Sequence, residues 1–574
     1  MDINKPDKNS NGAVHMVSAY DELPRTPANF VALSPLRYLE RAAYIYPNQA
    51  AIIHGERQIT WQQTYQRCRQ FAHQLRNLGI QKNDTVSVLL PNVPAMIEAH
   101  FAVPMAGAVL NTLNTRLDAK TIAFMLTHAE SRVLLVDPEF KTLAEEALTL
   151  INQDIIVIDV FDEEYDAEQI ALGQYEYESW LAQGDPEFEW LLPQDEWDAI
   201  SLNYTSGTTG FSKGVMLTGN NLAGNVTYAK TLGLMFKGDR ELCFLPLAHA
   251  YSCTFNFLVP MAVGAHVFLL GKTPTPKILL TAFEEVKPNL ILTVPLILEK
   301  IYKKMILPQL NKRTVKLALN IPLLDNRIYA QIRKKLNDAM GGRFKEVIVG
   351  GAAMNQEVTD FLYKIKFPFT IGYGMTECGP LISYDSNEAF IPGSCGKVLN
   401  GIMDVRIDSE DPYNQVGEIQ VRGENVMKGY YKNDEATNAV FTQDGWLKTG
   451  DLGTIDAEKR IYIRGRSKTM ILSSSGQNIF PEEIEAKLNN LPYIMESLVI
   501  ERDGKLIALV YPDYDTVDGT GIMHTDLPLI MQQNLVEINK LVAPYEKVAS
   551  IQLYPTEFEK TPKKSIKRYL YSNF

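Results

Sequence analysis

Between residues 50 and 137 short apolar runs alternate with longer amphipathic stretches. Ala50–His54 is a short apolar run. Thr60-Trp-Gln-Gln63 forms a capping box, in which the hydroxyl and the amide three residues on satisfy each other's backbone, so a helix is predicted from here to Gly79. Thr85–Leu90 reads as a buried strand, Asn92 as the cap of a helix running to about Gly107, and Arg132–Asp137 as the next strand. Strands alternating with helices predict a parallel, doubly wound sheet. The pattern returns with strands at Val267–Leu270, Leu290–Val294 and Glu346–Val349, so two such sheets are expected in one large N-terminal region. After about residue 390 Gly-rich turns separate short alternating strands (Val405–Ile407, Glu418–Val421, Ile461–Ile463), the pattern of a small β-subdomain. Elements at Pro481–Leu488 and Ser497–Ile500 lie beyond a boundary placed at Gly465–Lys468. The expectation is an α/β protein: a disordered leader over 1–22, a large domain over 23–466 with its β-subdomain over about 390–466, and a small mobile α+β domain over 467–574.

A chain of 574 residues is too long for one core, which agrees with more than one domain. At 46% hydrophobic and 22% charged residues its composition is that of an ordinary globular protein. No run of 18 apolar residues is present, and Met1–Glu22 lacks the apolar core of a signal peptide. Cys68, Cys243, Cys253, Cys378 and Cys395 show no metal-binding spacing and are read as reduced thiols of a cytoplasmic protein. Residues 151–200 hold fifteen Asp and Glu and no Lys or Arg, so the rest of the chain sums to +3 (−12 + 15). That window reads as a solvated connecting face, and the overall acidity argues against a nucleic-acid partner.

The most informative segment is Tyr204-Thr-Ser-Gly-Thr-Thr-Gly-Phe-Ser-Lys-Gly214. Its glycines let the backbone approach an anion, its hydroxyls and amides can donate to phosphate oxygens, and Lys213 adds charge. It is not a Walker loop, because Lys213 is followed by glycine rather than Ser or Thr. A second segment, Gly372-Tyr-Gly-Met-Thr-Glu377, follows the apolar Phe369–Ile371. It offers an aromatic face for a purine, a hydroxyl for phosphate and one carboxylate for a hard cation. Further on, Asp451 sits in what reads as a Gly-rich turn, Trp446-Leu-Lys-Thr-Gly-Asp-Leu-Gly453, suited to accepting hydrogen bonds from ribose hydroxyls.

These segments, in this order, resemble the AMP-forming, adenylate-forming enzymes: acyl-CoA synthetases, peptide-synthetase adenylation domains and luciferases. The resemblance spans roughly residues 30–570. Residues 20–200 are similar to medium-chain acyl-activating enzymes of bacteria and plants, and residues from about 207 onward to bacterial long-chain fatty acid ligases, including the basic helical stretch Leu298–Arg343; a junction near the phosphate loop would account for both. The resemblance implies a phosphate loop of Thr205, Ser206, Gly207, Thr208, Thr209, Gly210 and Lys213, and an adenine-side loop containing Gly351 and Ala352. It also implies Tyr373 on the adenine, Thr376 at the α-phosphate, Glu377 on Mg²⁺, Asp451 and Arg466 on the ribose, and Lys468 at a hinge. His249, in Pro246-Leu-Ala-His-Ala250, falls at a gate beside the acyl pocket.

Three positions depart from that pattern. Ser212 stands where proline usually precedes the lysine, Thr469 replaces an acidic residue, and the C-terminal lysine is displaced. In Thr561-Pro-Lys-Lys-Ser-Ile-Lys-Arg568 its position holds Ser565, with Lys563, Lys564 and Lys567 around it, and Lys564 is the expected substitute. The implied activity is conversion of a medium- to long-chain fatty acid to acyl-AMP and then acyl-CoA, using ATP, Mg²⁺ and CoA. Two alternatives stay open: transfer of the acyl group to a carrier protein, and a non-catalytic nucleotide-binding relative. Weak peripheral contact with a membrane, and a monomeric or homodimeric state, are open as well.

Overall fold

The computed structural model describes residues 34–162, 171–190, 198–205, 212–271, 274–319, 321, 324–472, 477–561 and 565–571. The expected leader therefore lies outside the described residues. Two sheets dominate. One has eight strands, in the spatial order Gly429–Tyr430, Lys213–Thr218, Ala199–Thr205, Val109–Thr112, Thr85–Leu89, Ser131–Val136, Ile156–Asp159 and Tyr175–Glu176. The other has seven: Phe369–Ile371, Glu346–Val349, Leu290–Thr293, Arg240–Cys243, His266–Leu269, Ala50–His54 and Arg57–Thr60. Inner strands pair in parallel, and antiparallel pairing appears only at one end of each sheet. Ala50–His54 sits beside His266–Leu269, so the start of the chain crosses over to the sheet built mostly from its later half.

The helices follow from local sequence. Thr60 and Gln63 form the reciprocal cap that opens helix Trp61–Asn77, and Cys68, Phe71, Ala72 and Leu75 face the core. Helix Pro94–Met105 is present, but Asn92 does not cap it. Val93 holds that position without a side-chain bond, and the buried Asn92 amide instead donates to the carbonyls of Cys243 and Leu245 while accepting from Leu247 N. A tertiary partner outcompetes the cap, and Asn92 ties one sheet to a loop of the other. This helix is buried almost throughout because it lies between helix Trp61–Asn77 and the strands Thr85–Leu89 and Val109–Thr112, and its one buried acid, Glu98, pairs with Arg67.

A four-stranded antiparallel sheet follows, in the order Met403–Asp408, Gly417–Gly423, Leu447–Ile455 and Ile461–Arg466. Strand Leu447–Ile455 corrects the turn expected around Asp451. The strand continues past Gly450, which takes a left-handed φ of +75°, with a register shift between Leu452 and Gly453, so the glycines mark a bulged strand. Beyond residue 470 a separate apolar cluster forms, in which helices Pro481–Leu488 and Leu527–Leu541 cover the sheet Ile494–Arg502, Lys505–Pro512 and Val548–Leu553. All five cysteines are free thiols. No helix among the described residues is long and apolar enough to cross a membrane.

Candidate functional site

The loops that carry the sequence motifs leave the two large sheets at the carboxyl ends of their parallel strands, where ligands of open α/β sheets bind. Thr205 ends one strand and Lys213 begins the next, and the two are paired across the antiparallel ladder. Ser206, Gly207, Thr208, Thr209 and Gly210 lie outside the described residues, but their stems are fixed by this pairing. In the other sheet Glu346–Val349 runs into Gly350–Ala352, and Phe369–Ile371 runs into Gly372–Glu377. The two exits are neighbours, since Gly372 N donates to Val349 O at 2.9 Å. Gly351 (φ +88°) and Ala352 are exposed at this edge.

Two side-chain groups form there. In the first, Asp451 is 5% exposed, its Oδ1 lies 3.0 Å from Arg466 Nε, and its Oδ2 accepts from the Tyr373 hydroxyl at 2.7 Å. Asp451 and Arg466 face each other across neighbouring strands, which sets their approach. Burial raises the Asp451 pKa, while the Arg466 charge and the Tyr373 hydroxyl oppose that rise. In the second, the buried Glu377 carboxylate accepts from the Tyr430 hydroxyl at 2.9 Å, and the Lys213 ammonium lies 4.8 Å from the Tyr430 ring centre. Burial, then the Glu377 charge, raises the Tyr430 pKa, so the phenol remains a donor. Thr376 opens the short turn Thr376–Cys378 that presents Glu377.

The backbone around Glu377 is held from several elements. Asn225, buried in helix Gly219–Thr231, donates to the carbonyls of Cys378 and Gly379, and Met427 N donates to Glu377 O. Lys428 N and Tyr431 N donate to Met216 O and Gly214 O, which brings Tyr430 over Lys213. Tyr430 and Asn225 were not among the sequence candidates. Their signals were present as a Gly-Tyr-Tyr triplet at 429–431 and an asparagine on a buried helix face, but only the fold gives either a partner.

His249 ends a loop that strands of the eight-stranded sheet grip: Thr112 Oγ1 donates to Ala248 O, and the Asn114 amide lies 2.9 Å from His249 Nε2. Beyond it the Tyr251 ring crosses Gly350, where a Cβ would meet it at 3.1 Å, and the Tyr251 hydroxyl donates to Ile348 O. Phe255 packs on Tyr251, and Val294 lies beside Gly351. The wall beside His249 is thus aromatic and aliphatic.

The C-terminal segment is a narrow loop. Lys560 bridges Ile566, and Thr561 N donates to the Ser565 carbonyl at 2.8 Å. Ser565 is exposed, whereas Lys563 and Lys564 lie outside the described residues. Lys567 is near enough to Asp118 to help lower its pKa against the opposing effect of burial, together with hydrogen bonds from Thr121. The nearby cations Lys560 and Arg568 are engaged, Lys560 with Glu496 and Glu557, Arg568 with Glu482 and Glu485.

A buried carboxylate able to accept two ribose hydroxyls, a flanking guanidinium, and a second carboxylate beside a lysine fit a nucleotide with a divalent cation. No cluster of three metal-binding side chains occurs among the described residues, and a lone carboxylate completed by phosphate oxygens and water is the usual manner of holding Mg²⁺. The fold is that of an α/β enzyme with two large, mostly parallel sheets and a smaller C-terminal part. The chain belongs to the AMP-binding enzyme family, whose model matches residues 39–431. It is 35% identical to an acetate–CoA ligase of Humulus lupulus over 84% of each chain, and 31% identical to a peroxisomal trans-cinnamate:CoA ligase of Petunia hybrida over 96% of this chain and 95% of that one. Its fold matches an anthranilate CoA ligase in complex with anthranoyl-AMP (TM-score 0.76, 20% identity, 95% and 97% of the chains covered). It also matches an O-succinylbenzoate CoA synthetase of Bacillus subtilis in complex with ATP and magnesium (TM-score 0.73, 23% identity, 94% and 99% covered). AMP-forming acyl-CoA ligases of this kind use ATP, Mg²⁺ and CoA and work through an acyl-adenylate.

Proposed function

We propose that this protein activates a medium- to long-chain fatty acid as its CoA thioester, in the cytoplasm. The observation that carries the nucleotide half of this reading is that the one segment Tyr373–Glu377 joins two groups, Asp451 with Arg466 and Tyr373, and Glu377 with Tyr430 and Lys213. In this reading Asp451 and Arg466 hold the ribose, the Tyr373 ring and Gly351–Ala352 flank the adenine, and Thr376, Thr205 and Lys213 face the phosphates. Mg²⁺ on Glu377 supplies charge neutralisation at the phosphates when bound. A carboxylate oxygen of the acid attacks the α-phosphorus and pyrophosphate leaves. The CoA sulfur, having lost its proton, then attacks the acyl carbon and AMP leaves. Preorganised donors and cations stabilise the charge that builds at the α-phosphate.

The acyl half rests on the wall of Tyr251, Phe255 and Val294 beside His249, whose apolar side chains suit an alkyl chain better than a second charged group. Relatives carry names for acetate, butyrate, benzoate and cinnamate ligases, so the assay must span them. Pyrophosphate release is measured with acetate, butyrate, benzoate, cinnamate, octanoate and palmitate, with and without CoA. Fatty acids turning over with the highest kcat/KM, and acyl-CoA as product, support the reading. Preference for acetate or an aromatic acid refutes the chain-length part. Acyl-AMP without acyl-CoA points to a carrier-protein acceptor, and binding of ATP without pyrophosphate release to a non-catalytic relative.

The part beyond residue 466 acts in this proposal as a mobile domain turning about Lys468 between the two half-reactions. Lys468→Pro fixes φ near −65°. Loss of one half-reaction with retention of the other supports the hinge, and equal loss of both in a folded protein refutes it.

A further inference from the structure

The segment Leu298–Arg343 carries eleven Lys and Arg against three acids, a net of +8 in a protein of net −12, so the rest of the chain sums to −20 (−12 − 8). Among the described residues none of these eleven cations forms an ion pair, although short pairs are common elsewhere in the molecule. Mixed among them are exposed apolar side chains: Met305 at 41%, Leu317 at 69%, Ile321 at 49% and Leu324 at 39%. Helix Leu324–Ala339 turns Ile332 and Leu336 into the core, with Ile328 partly buried in the same row. Helical spacing then places Arg327 and Lys334 on the opposite face, with Asp338 as an acid there, while Leu324 carries the buried row out to solvent at the start of the helix. In helix Arg313–Leu319 the positions Arg313, Lys316 and Leu317 share one exposed face.

We propose that this surface docks onto an anionic phospholipid bilayer. Unpaired cations gain from the negative headgroups, and the interspersed Leu, Ile and Met side chains gain by leaving water beneath them. A phosphodiester chain would satisfy the cations but offer little to those apolar groups. The segment is rooted at the proposed acyl site, since its helix Pro295–Ile301 starts directly after Val294, the neighbour of Gly351. Under the fatty-acid reading this puts the acyl entrance beside the lipid. The docking itself does not depend on that reading.

The test is co-sedimentation of the full chain with phosphatidylglycerol/phosphatidylcholine vesicles and with phosphatidylcholine alone. Binding is expected only to the anionic vesicles, weakening as salt is raised. Lys312→Gln/Arg313→Gln/Lys316→Gln should lower the partition coefficient about fivefold per cation removed. Leu317→Ser/Ile321→Ser should also lower it, leaving the salt dependence unchanged. Lys505→Gln, an exposed lysine beyond the segment, should have no effect. Both multiple variants should keep parental melting and pyrophosphate release with a water-soluble acid. The proposal is overturned by no binding of the parent to anionic vesicles, by equal binding to both vesicle types, by undiminished binding of the triple variant, or by tighter binding to duplex DNA than to vesicles.

Discussion

The Tyr430 hydroxyl donates to Glu377 Oε1 at 2.9 Å while the Lys213 ammonium rests 4.8 Å from the same ring. One aromatic side chain thus stands between the lysine that ends the phosphate loop and the carboxylate proposed for Mg²⁺. It holds the two in proximity without letting them pair directly and neutralise each other.

Glu377→Gln should largely abolish adenylation, with partial rescue at raised Mg²⁺, since the cation loses its protein carboxylate. Tyr430→Phe keeps the ring under Lys213 and removes only a hydrogen bond to a charged group, about 1.5–3 kcal/mol. It should raise the Mg²⁺ concentration needed for half-maximal pyrophosphate release while leaving the melting temperature near that of the parent. Full activity of Glu377→Gln at sub-millimolar Mg²⁺ would move the metal elsewhere.

Asp451→Ala should weaken ATP binding by roughly 1–3 kcal/mol through loss of charge-assisted hydrogen bonds. The change also strips Arg466 and Tyr373 of their partner, so Asp451→Asn serves as the gentler comparison. Calorimetry showing unchanged ATP affinity in both would remove Asp451 from the ribose.

The C-terminal loop predicts its own substitution pattern. Thr561 N is bound to Ser565 O, so the residues flanking Lys563 and Lys564 are fixed, while those two lysines lie outside the described residues. Lys564→Ala or Lys563→Ala should slow adenylation, whereas thioester formation from synthetic acyl-AMP and CoA should persist. If both match the parent and Ser565→Lys raises the rate by orders of magnitude, the natural chain is an impaired adenylating enzyme.

Burial raises the pKa of Asp137 to about 7, with the neighbouring Asp162 adding to the rise and Glu139 N opposing it. The folded protein thus holds a proton there that the unfolded chain releases near pH 4. Its contribution to stability is fully present below pH 4 and is lost as pH rises through about 7, with an upper bound of about 4 kcal/mol. Asp137→Asn keeps the acceptor for Glu139 N and removes the titration. Denaturation midpoints at pH 5 and pH 8 should differ less in the variant than in the parent; an unchanged difference would place the titration elsewhere.

Local pattern was enough for the elements whose cause is local. Ala50–His54, Glu346–Val349, Phe369–Ile371 and helix Pro481–Leu488 end where their apolar runs and punctuating residues end, and the Thr60 capping box needs only its own neighbours. The order of the glycine-rich and Asp/Glu motifs marked Lys213, Glu377, Tyr373 and Asp451 as candidates for the proposed site, because phosphate and ribose chemistry needs those residue types. What depends on partners distant in the chain came only from the tertiary structure. Asn92 left its helix for a loop of the opposite sheet, since three backbone groups near residue 245 offered more than one cap. Asp451 entered a bulged strand because its hydrogen-bonding partners are Arg466 across the ladder and Tyr373 from another sheet. Tyr430 gained a role only when the strand beside Lys213–Thr218 carried it over Lys213 and against Glu377. Periodicity records which face of an element is apolar; which residue meets it from 200 positions away is set by how the sheets cross, and that is a property of the packed chain.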